Sequence, residues 1–220
     1  MMKENLIQVI CGPGKGKTAS ALGRGVTALL KGKTVIMVQF LKGSMETEGM
    51  EIVKRLEPEF KLFRFEKSPI FFDQLSEEEK DEARINIRNG LNFAKKVLVT
   101  GECDILILDE PTIAQDWKGR QIIGSIIRSL SGRGKLVIAI LHDMDFVAEN
   151  FERVIIMAHG QVLADGTAKE VFAQEEVLKK ARLQKPYVMQ LSEALGYEKS
   201  YLTVEELLKD RMSLCAAIKL

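Results

Sequence analysis

Gly12-Pro13-Gly14-Lys15-Gly16-Lys17-Thr18 is the stretch that decides the fold of this 220-residue chain. An apolar run over residues 6–11 precedes it, and a helix-forming run starts at Ala19. A strand, a glycine-rich turn, a Lys-Thr pair and a helix in this order are typical of a P-loop that binds nucleotide phosphates. Glycines let successive backbone N–H groups converge on phosphate oxygens, and the helix N-terminus adds partial positive charge. The stretch therefore predicts a nucleotide-binding α/β fold.

The loop also supplies individual candidate ligands. Lys17 would place a full positive charge on the reacting phosphates, and Thr18 would offer a hydroxyl to Mg²⁺. The residues expected to bind the nucleotide are Gly12, Gly14, Lys15, Gly16, Lys17, Thr18 and Ala19. The common spacing of such loops would put the first glycine at position 11, where Cys11 stands. The loop is therefore one residue shorter than usual, and it carries a second lysine.

The composition argues against several classes of function. Lys and Arg number 32 against 31 Asp and Glu, so the net charge of +1 gives no electrostatic reason to expect nucleic acid as a partner. Three widely spaced cysteines without a Cys-x-x-Cys pair argue against a disulfide framework or a zinc site. The first residues lack the apolar core of a signal peptide, and no apolar run approaches the ~20 residues of a membrane span. We expect a soluble, cytoplasmic protein.

Short apolar runs alternate with longer amphipathic stretches, which is the pattern of a mostly parallel sheet flanked by helices. Strands are predicted over residues 6–11, 34–40, 61–65, 105–108, 136–140 and 154–158. Helices are predicted over residues 18–30, 76–99, 118–130 and 144–150, with a hairpin over 160–166. We expect a P-loop NTPase fold of the RecA-like type over residues 1–167 and a C-terminal helical extension over residues 168–220.

A second motif follows the apolar run 105–108, where two carboxylates stand as Asp109 and Glu110. The carboxyl end of a strand is where ligands bind in open α/β sheets. Asp109 would hold Mg²⁺ directly or through water, and Glu110 would act as a base or orient a reactant. A solvated strand end is the alternative for both residues. The P-loop upstream favours the functional interpretation.

The first half of the chain, over about residues 5–110, resembles the P-loop cob(I)alamin (corrinoid) adenosyltransferases. The resemblance rests on the short loop and on the runs Ala21-Leu22-Gly23, Val38-Gln39-Phe40-Leu41-Lys42-Gly43 and Cys103-Asp104-Ile105-Leu106-Ile107-Leu108-Asp109-Glu110. It implies that reduced Co(I) of a corrinoid substrate attacks the 5′ carbon of ATP and that the whole triphosphate leaves. Lys15, Lys17 and Mg²⁺ would stabilise the charge of that leaving group. Lys42 is a further candidate for a phosphate contact, with a solvated lysine as the alternative.

The second half, over about residues 105–196, resembles the C-terminal part of ABC transporter ATPases of the energy-coupling-factor type. The resemblance rests on the runs Leu108-Asp109-Glu110-Pro111-Thr112, Leu141-His142-Asp143-Met144 and Gly160-Gln161-Val162-Leu163-Ala164-Asp165-Gly166-Thr167. It implies that Glu110 positions an attacking water, that His142 senses the γ-phosphate and that Asp116 lies at a dimer interface. For His142, a structural cap on the following helix and a metal ligand are the alternatives.

The resemblance to ABC transporter ATPases is incomplete. No Leu-Ser-Gly-Gly-Gln type sequence, which caps ATP on the partner subunit of ABC ATPases, precedes Asp109. We therefore expect an enzyme that transfers the adenosyl group of Mg-ATP to a reduced corrinoid, with Glu110, Lys17 and His142 as candidate catalytic residues. The rivals are an ATP-hydrolysing module that serves a vitamin or metal transporter, and a nucleotide-binding chimera with little turnover. The charged C-terminal helices offer a surface for a homodimer.

Overall fold

The computed structural model describes residues 7–40, 50–65, 72–113, 115–131 and 135–217. In these residues one sheet has the strands β1 Ile7–Cys11, β2 Val35–Gln39, β3 Phe60–Arg64, β4 Ile105–Asp109, β5 Leu136–Ile140, β6 Arg153–Ala158 and β7 Gln161–Thr167. Their order across the sheet is β3-β2-β4-β5-β1-β6-β7. The first six strands are parallel, and β7 pairs with β6 in the antiparallel sense. The predicted α/β P-loop fold with a mostly parallel sheet is confirmed.

Helices flank the sheet and follow it. Their bounds are α1 Lys17–Leu29, α2 Met50–Lys54, α3 Glu77–Thr100, α4 Trp117–Ser131, α5 Met144–Asn150, α6 Ala168–Phe172, α7 Glu175–Lys180, α8 Tyr187–Ala194 and α9 Val204–Ala217. The longest, α3, starts at a capping box, in which Ser76 Oγ accepts from the Glu79 N–H and the Glu79 carboxylate accepts from the Ser76 N–H. Among the described helices, none combines the length and the apolar character that crossing a membrane requires.

The alternation of side chains along the strands divides the core into two layers. On one face, Val9 and Leu106 pack with buried apolar residues of α3, α4 and α5. On the opposite face, Ile10 and Ile107 pack with residues of α1 and α2. All five residues of each of β1, β2 and β4 are buried. Because helices cover both faces of the sheet, these strands are nearly continuous apolar runs in the sequence.

The structure changes some of the predicted boundaries. β4 extends through Asp109, one residue beyond the predicted end, because Asp109 still pairs with neighbours on both sides. β7 continues through Thr167 instead of ending in a turn, because Gly166 and Thr167 remain paired with β6. The short helix α2 was not predicted, since five residues are too few to display a helical period.

Burial continues from the sheet into the C-terminal helices. Val171 of α6, Leu178 of α7 and Met189 of α8 are buried in the same apolar cluster as Val9 of β1. The junction after Thr167 is a helix start, because Thr167 forms a second capping box at the N-terminus of α6. A new element thus begins after Thr167, and the apolar core runs across this point. The division of the chain at residue 167 stays a prediction.

Gly25 of α1 tests how tightly this helix packs on the sheet. A Cβ at Gly25 would lie 2.5 Å from Cε2 of Phe60, a ring that is fully buried. We expect Gly25→Ala to lower the free energy of unfolding by about 1–3 kcal/mol, because the ring would have to shift in a packed core. The measurement is urea unfolding followed by circular dichroism.

Gly23, on the same helix, provides the matched control. A Cβ at Gly23 would meet no atom of the surrounding structure within 4 Å. Gly23→Ala should leave the free energy of unfolding unchanged or raise it by up to about 1 kcal/mol, since alanine favours helix over glycine. Equal unfolding midpoints for the two variants would contradict the described packing of α1.

Candidate functional site

The carboxyl ends of three central strands bring the two sequence motifs together. β5 lies between β4 and β1, with Asp109 opposite Ile140 and Ile140 opposite Ile10. The backbone N–H of Glu110 donates to Ile140 O at 3.1 Å, and the N–H of Leu141 donates to Ile10 O at 3.3 Å. The segments that follow the three strands therefore begin side by side at one edge of the sheet.

Residues 12–16 connect β1 to α1 in an alternating backbone conformation. Its three glycines have positive φ, whereas Pro13 and Lys15 do not. At Gly12 the φ of 121° and the carbonyl oxygen of Met157, 1.9 Å from the place of a Cβ, require glycine. A backbone with positive φ at alternate positions can turn N–H groups toward one concave space, which is how anions are bound by backbone. Phosphate binding by this loop stays a prediction.

Lys17 is the first residue of α1 and is only 7% exposed. Its Nζ donates to the carbonyl oxygen of Gly14 at 2.9 Å, so the ammonium group is held against the loop. Cys11, directly before the loop, is buried, and this burial raises the pKa of its thiol to about 12. Cys11 is therefore a protonated packing residue at neutral pH, while Lys17 supplies the charge at the site.

A chain of hydrogen bonds fixes the carboxylate of Asp109. Thr18 Oγ1 and Gln39 Nε2 both donate to Asp109 Oδ2, at 3.2 and 2.9 Å. Arg64 Nε in turn donates to Gln39 Oε1 at 3.1 Å. Gln39 and Asp109 are each 1% exposed. These hydrogen bonds join the ends of β2, β3 and β4 to the first turn of α1. They hold the Asp109 carboxylate beside the Thr18 hydroxyl.

The residues at this point fit Mg²⁺. The Thr18 hydroxyl and the Asp109 carboxylate are oxygen donors, and Mg²⁺ in nucleotide sites uses one or two such groups together with phosphate oxygens and water. Among the described residues, no group of three or more His, Cys, Asp or Glu side chains could hold a metal ion by itself.

Glu110 and His142 meet at the ends of β4 and β5. His142 Nε2 lies 2.7 Å from Glu110 Oε1, and the Glu110 side chain is 15% exposed against 52% for His142. Glu110 has a φ of 61°. A left-handed backbone is uncommon outside glycine, and such residues cluster at functional sites. The pair is thus a carboxylate in contact with an imidazole beside the P-loop edge, an arrangement suited to orienting a reactant or a water.

The helix-capping alternative for His142 is wrong. The residue that caps α5 is Asp143, whose carboxylate accepts from the Phe146 N–H at 3.0 Å. Asp143 also forms an ion pair with Arg120 of α4. The short carboxylate of Asp143 reaches the free amides of the first helical turn, which leaves the preceding imidazole directed elsewhere.

The structure groups most of the predicted site residues at this edge. Thr18, two residues after the last glycine of the loop, donates to Asp109, and Ala19 is exposed in the first turn of α1. Lys42 lies outside the described residues. Asp116, which was expected at a dimer interface, caps α4 with its carboxylate.

Two residues of the site were not recognised from the sequence. Gln39 stood in the sequence as a polar residue at the end of an apolar run, which is a signal for a functional strand end. Arg64 carried no such signal, because its role depends on β3 lying next to β2. Such a pairing is a property of the folded sheet.

The relatives of this chain include proteins named as ATP-binding proteins of transporters. Energy-coupling factor transporter ATP-binding protein EcfA2 of Methanospirillum hungatei JF-1 is 35% identical over 105 residues, which are 46% of this chain and 26% of that protein. A putative ABC transporter ATP-binding protein of Methanosarcina mazei is 46% identical over 110 residues, 48% of this chain and 19% of that protein. The matched part of this chain therefore spans about a quarter of the first relative and about a fifth of the second.

A solved structure with a similar chain is cbiO1 from Clostridium perfringens, part of the ABC transporter complex cbiONQ. It shares 21% sequence identity at a TM-score of 0.43, over 85% of this chain and 87% of that one. The strand order and the glycine loop between β1 and α1 define the fold of this chain.

A family model matches a longer part of the chain. The model describes the ATP:corrinoid adenosyltransferase BtuR/CobO/CobP, and it matches residues 3–139 of the 220. This segment contains the P-loop, Gln39, Arg64, Asp109 and Glu110, whereas His142 lies just beyond it. The chain thus combines similarity to two families, as the two resemblances in its sequence indicate. Because the match covers well over half of its length, the chain belongs to the ATP:corrinoid adenosyltransferase BtuR/CobO/CobP family.

Proposed function

We propose that this chain binds Mg-ATP at the P-loop and transfers the adenosyl group to a reduced corrinoid, with release of inorganic triphosphate. The observation that carries the proposal is the family match, which spans the short loop, Gln39 and Asp109 in one segment. The geometry supports it, because a concave loop next to a buried ammonium group suits a polyphosphate that leaves as one unit.

The transfer requires no nucleophile from the protein. The electron pair of Co(I) forms the bond to the 5′ carbon, the bond from that carbon to the phosphate oxygen breaks, and its electrons leave with the triphosphate. Cobalt is oxidised to Co(III), so an external reductant has to supply the Co(I) corrinoid. The task of the chain is to orient the two substrates and to stabilise the negative charge that develops on the leaving group.

Lys17 and the loop amides would carry most of that stabilisation. The Lys17 ammonium lies 2.9 Å from the Gly14 carbonyl oxygen, at the mouth of the loop. A phosphate oxygen that approached the loop would be a stronger, charged acceptor for the same ammonium. Lys15 is exposed on the loop and adds a second positive charge. Lys42 remains a further candidate for a phosphate contact.

Thr18 and Asp109 would hold the magnesium ion, which when bound supplies further positive charge to the leaving triphosphate. Gln39 would orient Asp109, since its amide N–H₂ donates to the Asp109 carboxylate. Arg64 accounts for the orientation of that amide, because an arginine can only donate and therefore faces the Gln39 oxygen. Gln39 and Arg64 are thus positioning residues for the metal ligand.

The contact between Glu110 and His142 favours a second candidate function, ATP hydrolysis in the service of a transporter. The two side chains meet at 2.7 Å where the resemblance to ABC ATPases implies water positioning and γ-phosphate sensing. The relatives above are named as ATP-binding proteins of such transporters. The sequence lacks the ABC motif that caps ATP from the partner subunit, so a homodimer of this chain would miss one contact to the γ-phosphate.

The phosphate products distinguish the two candidate functions. We expect Mg-ATP to yield inorganic triphosphate only when both a corrinoid and a reductant are present, because the triphosphate leaves as Co(I) attacks. Phosphorus NMR would identify the product, and the absorption spectrum would show the new cobalt–carbon bond. ADP and phosphate formed equally well without corrinoid would establish hydrolysis, and bound nucleotide without either product would indicate a chimera with little turnover.

Lys17→Ala tests the P-loop itself. We expect the affinity for Mg-ATP to fall by about tenfold or more, since a charge-assisted hydrogen bond at a buried ammonium is lost. Isothermal titration calorimetry measures the affinity, and Lys31→Ala, at an exposed turn after α1, serves as the lysine control. An unchanged affinity in Lys17→Ala would refute the assignment of the loop.

His142→Ala tests the second candidate function. We expect any corrinoid-independent hydrolysis of ATP to fall by about tenfold or more, because the partner that orients Glu110 is lost. Adenosyl transfer should stay within about twofold of the original rate, since the transfer needs no water and no general base. Both rates are measured on one preparation, with and without corrinoid. A matching loss of transfer would instead place His142 in the transferase site.

A further inference from the structure

We propose that the protein has a second anion subsite, a cationic cleft beside the P-loop that holds the far end of a triphosphate chain. The cleft has a volume of about 600 Å³, and its lining includes Gly14, Lys15, His159, Gly160, Lys180 and Arg182. Its anionic preference follows from these residues alone. That the anion is triphosphate rests on the proposed function, in which triphosphate is the leaving group.

The cationic cleft is continuous with the phosphate loop. A Cβ at Gly16 would lie 3.3 Å from the Cα of Gly160, so the loop and the turn between β6 and β7 touch through their backbones. Lys180 ends α7 and Arg182 follows it, and both reach the cleft from the other side. A ligand that lies on the loop can therefore extend into the cleft without leaving the protein surface.

The charge in the cleft is unbalanced. Lys15, Lys180 and Arg182 line it without forming an ion pair to any described residue, and no Asp or Glu lines it. Neighbouring lysines differ in this respect, since Lys179 pairs with Glu176 and Lys185 pairs with two glutamates. Three like charges around one concave space create a positive potential that an anion would relieve.

The chemistry of the lining favours phosphate over a nucleoside. Aromatic rings commonly contact purines, and no Phe, Tyr or Trp lines this cleft. Arginine and lysine are the side chains that bind phosphate oxygens most strongly. Mg²⁺ and Lys17 would act on the part of the triphosphate that lies on the loop, and the lysine and arginine side chains of the cleft would contact the negative charge at its far end.

These cleft residues come from a part of the chain that the family match does not cover. His159, Lys180 and Arg182 all lie beyond residue 139, where the match ends. The segment after β6 therefore adds to the polyphosphate site in addition to packing on the core. Retention of triphosphate after the carbon–oxygen bond breaks would be the consequence for turnover.

Binding of inorganic triphosphate to the intact chain, without corrinoid, tests the subsite. We expect the double variant Lys180→Gln/Arg182→Gln to bind triphosphate about tenfold more weakly than the original chain, because two charge contacts are lost. Lys179→Gln is the control for loss of a single charge, since it removes one positive charge at the position next to Lys180 on α7, and it should change the affinity by less than about twofold. Circular dichroism and thermal unfolding verify that each variant is folded.

A parallel titration with ATP identifies the group that occupies the cleft. Weaker binding of both triphosphate and ATP supports a phosphate subsite. Weaker binding of ATP alone would make the cleft a nucleoside subsite and would overturn the proposal, as would unchanged binding of both ligands or an equal loss in Lys179→Gln. Since the titrations contain no corrinoid, failure of adenosyl transfer would not alter their outcome.

Discussion

The hydrogen bond from Thr18 to Asp109 is the contact on which the rest of the site depends. It joins two residues 91 positions apart in the sequence, one at the start of α1 and one at the end of β4. The contact exists because β5 alone separates β4 from β1, so that parallel strands deliver both motifs to one edge. A carboxylate that is 1% exposed is costly unless it is hydrogen-bonded, and the donors on Thr18 and Gln39 offset that cost. The Asp109 carboxylate and the sheet therefore stabilise each other.

The same edge accommodates two chemistries, because a P-loop orients a polyphosphate without deciding which of its bonds breaks. Attack at the 5′ carbon by a cobalt nucleophile needs only stabilisation of the leaving charge, which the loop and Lys17 are placed to supply. Attack of water at the γ-phosphate needs an orienting group, and the pair of Glu110 and His142 is the one near the strand ends. The two family resemblances overlap at β4, the strand that ends at Asp109.

The segment after β6 contacts both the core and the phosphate loop. Its helices bury residues such as Val171 and Leu178 in the core beneath the sheet, and its turns border the phosphate loop at Gly160. A change in this segment would therefore reach the polyphosphate site through direct backbone contact. This arrangement explains how a C-terminal part with a different family resemblance can be compatible with the loop of the first half.

The sequence by itself determined the P-loop, the order of the strands along the chain, the two-sided burial of the sheet and the carboxylates at the end of β4, because these are local patterns of residue type and period. Only the tertiary structure decided which strands are neighbours. That arrangement brings Arg64 behind Gln39, directs His142 to Glu110 while Asp143 caps α5, and gathers Lys15, Lys180 and Arg182 around one cleft. The physical reason is that these contacts join residues far apart in sequence, and side chains without a local pattern acquire their partners only when the chain packs.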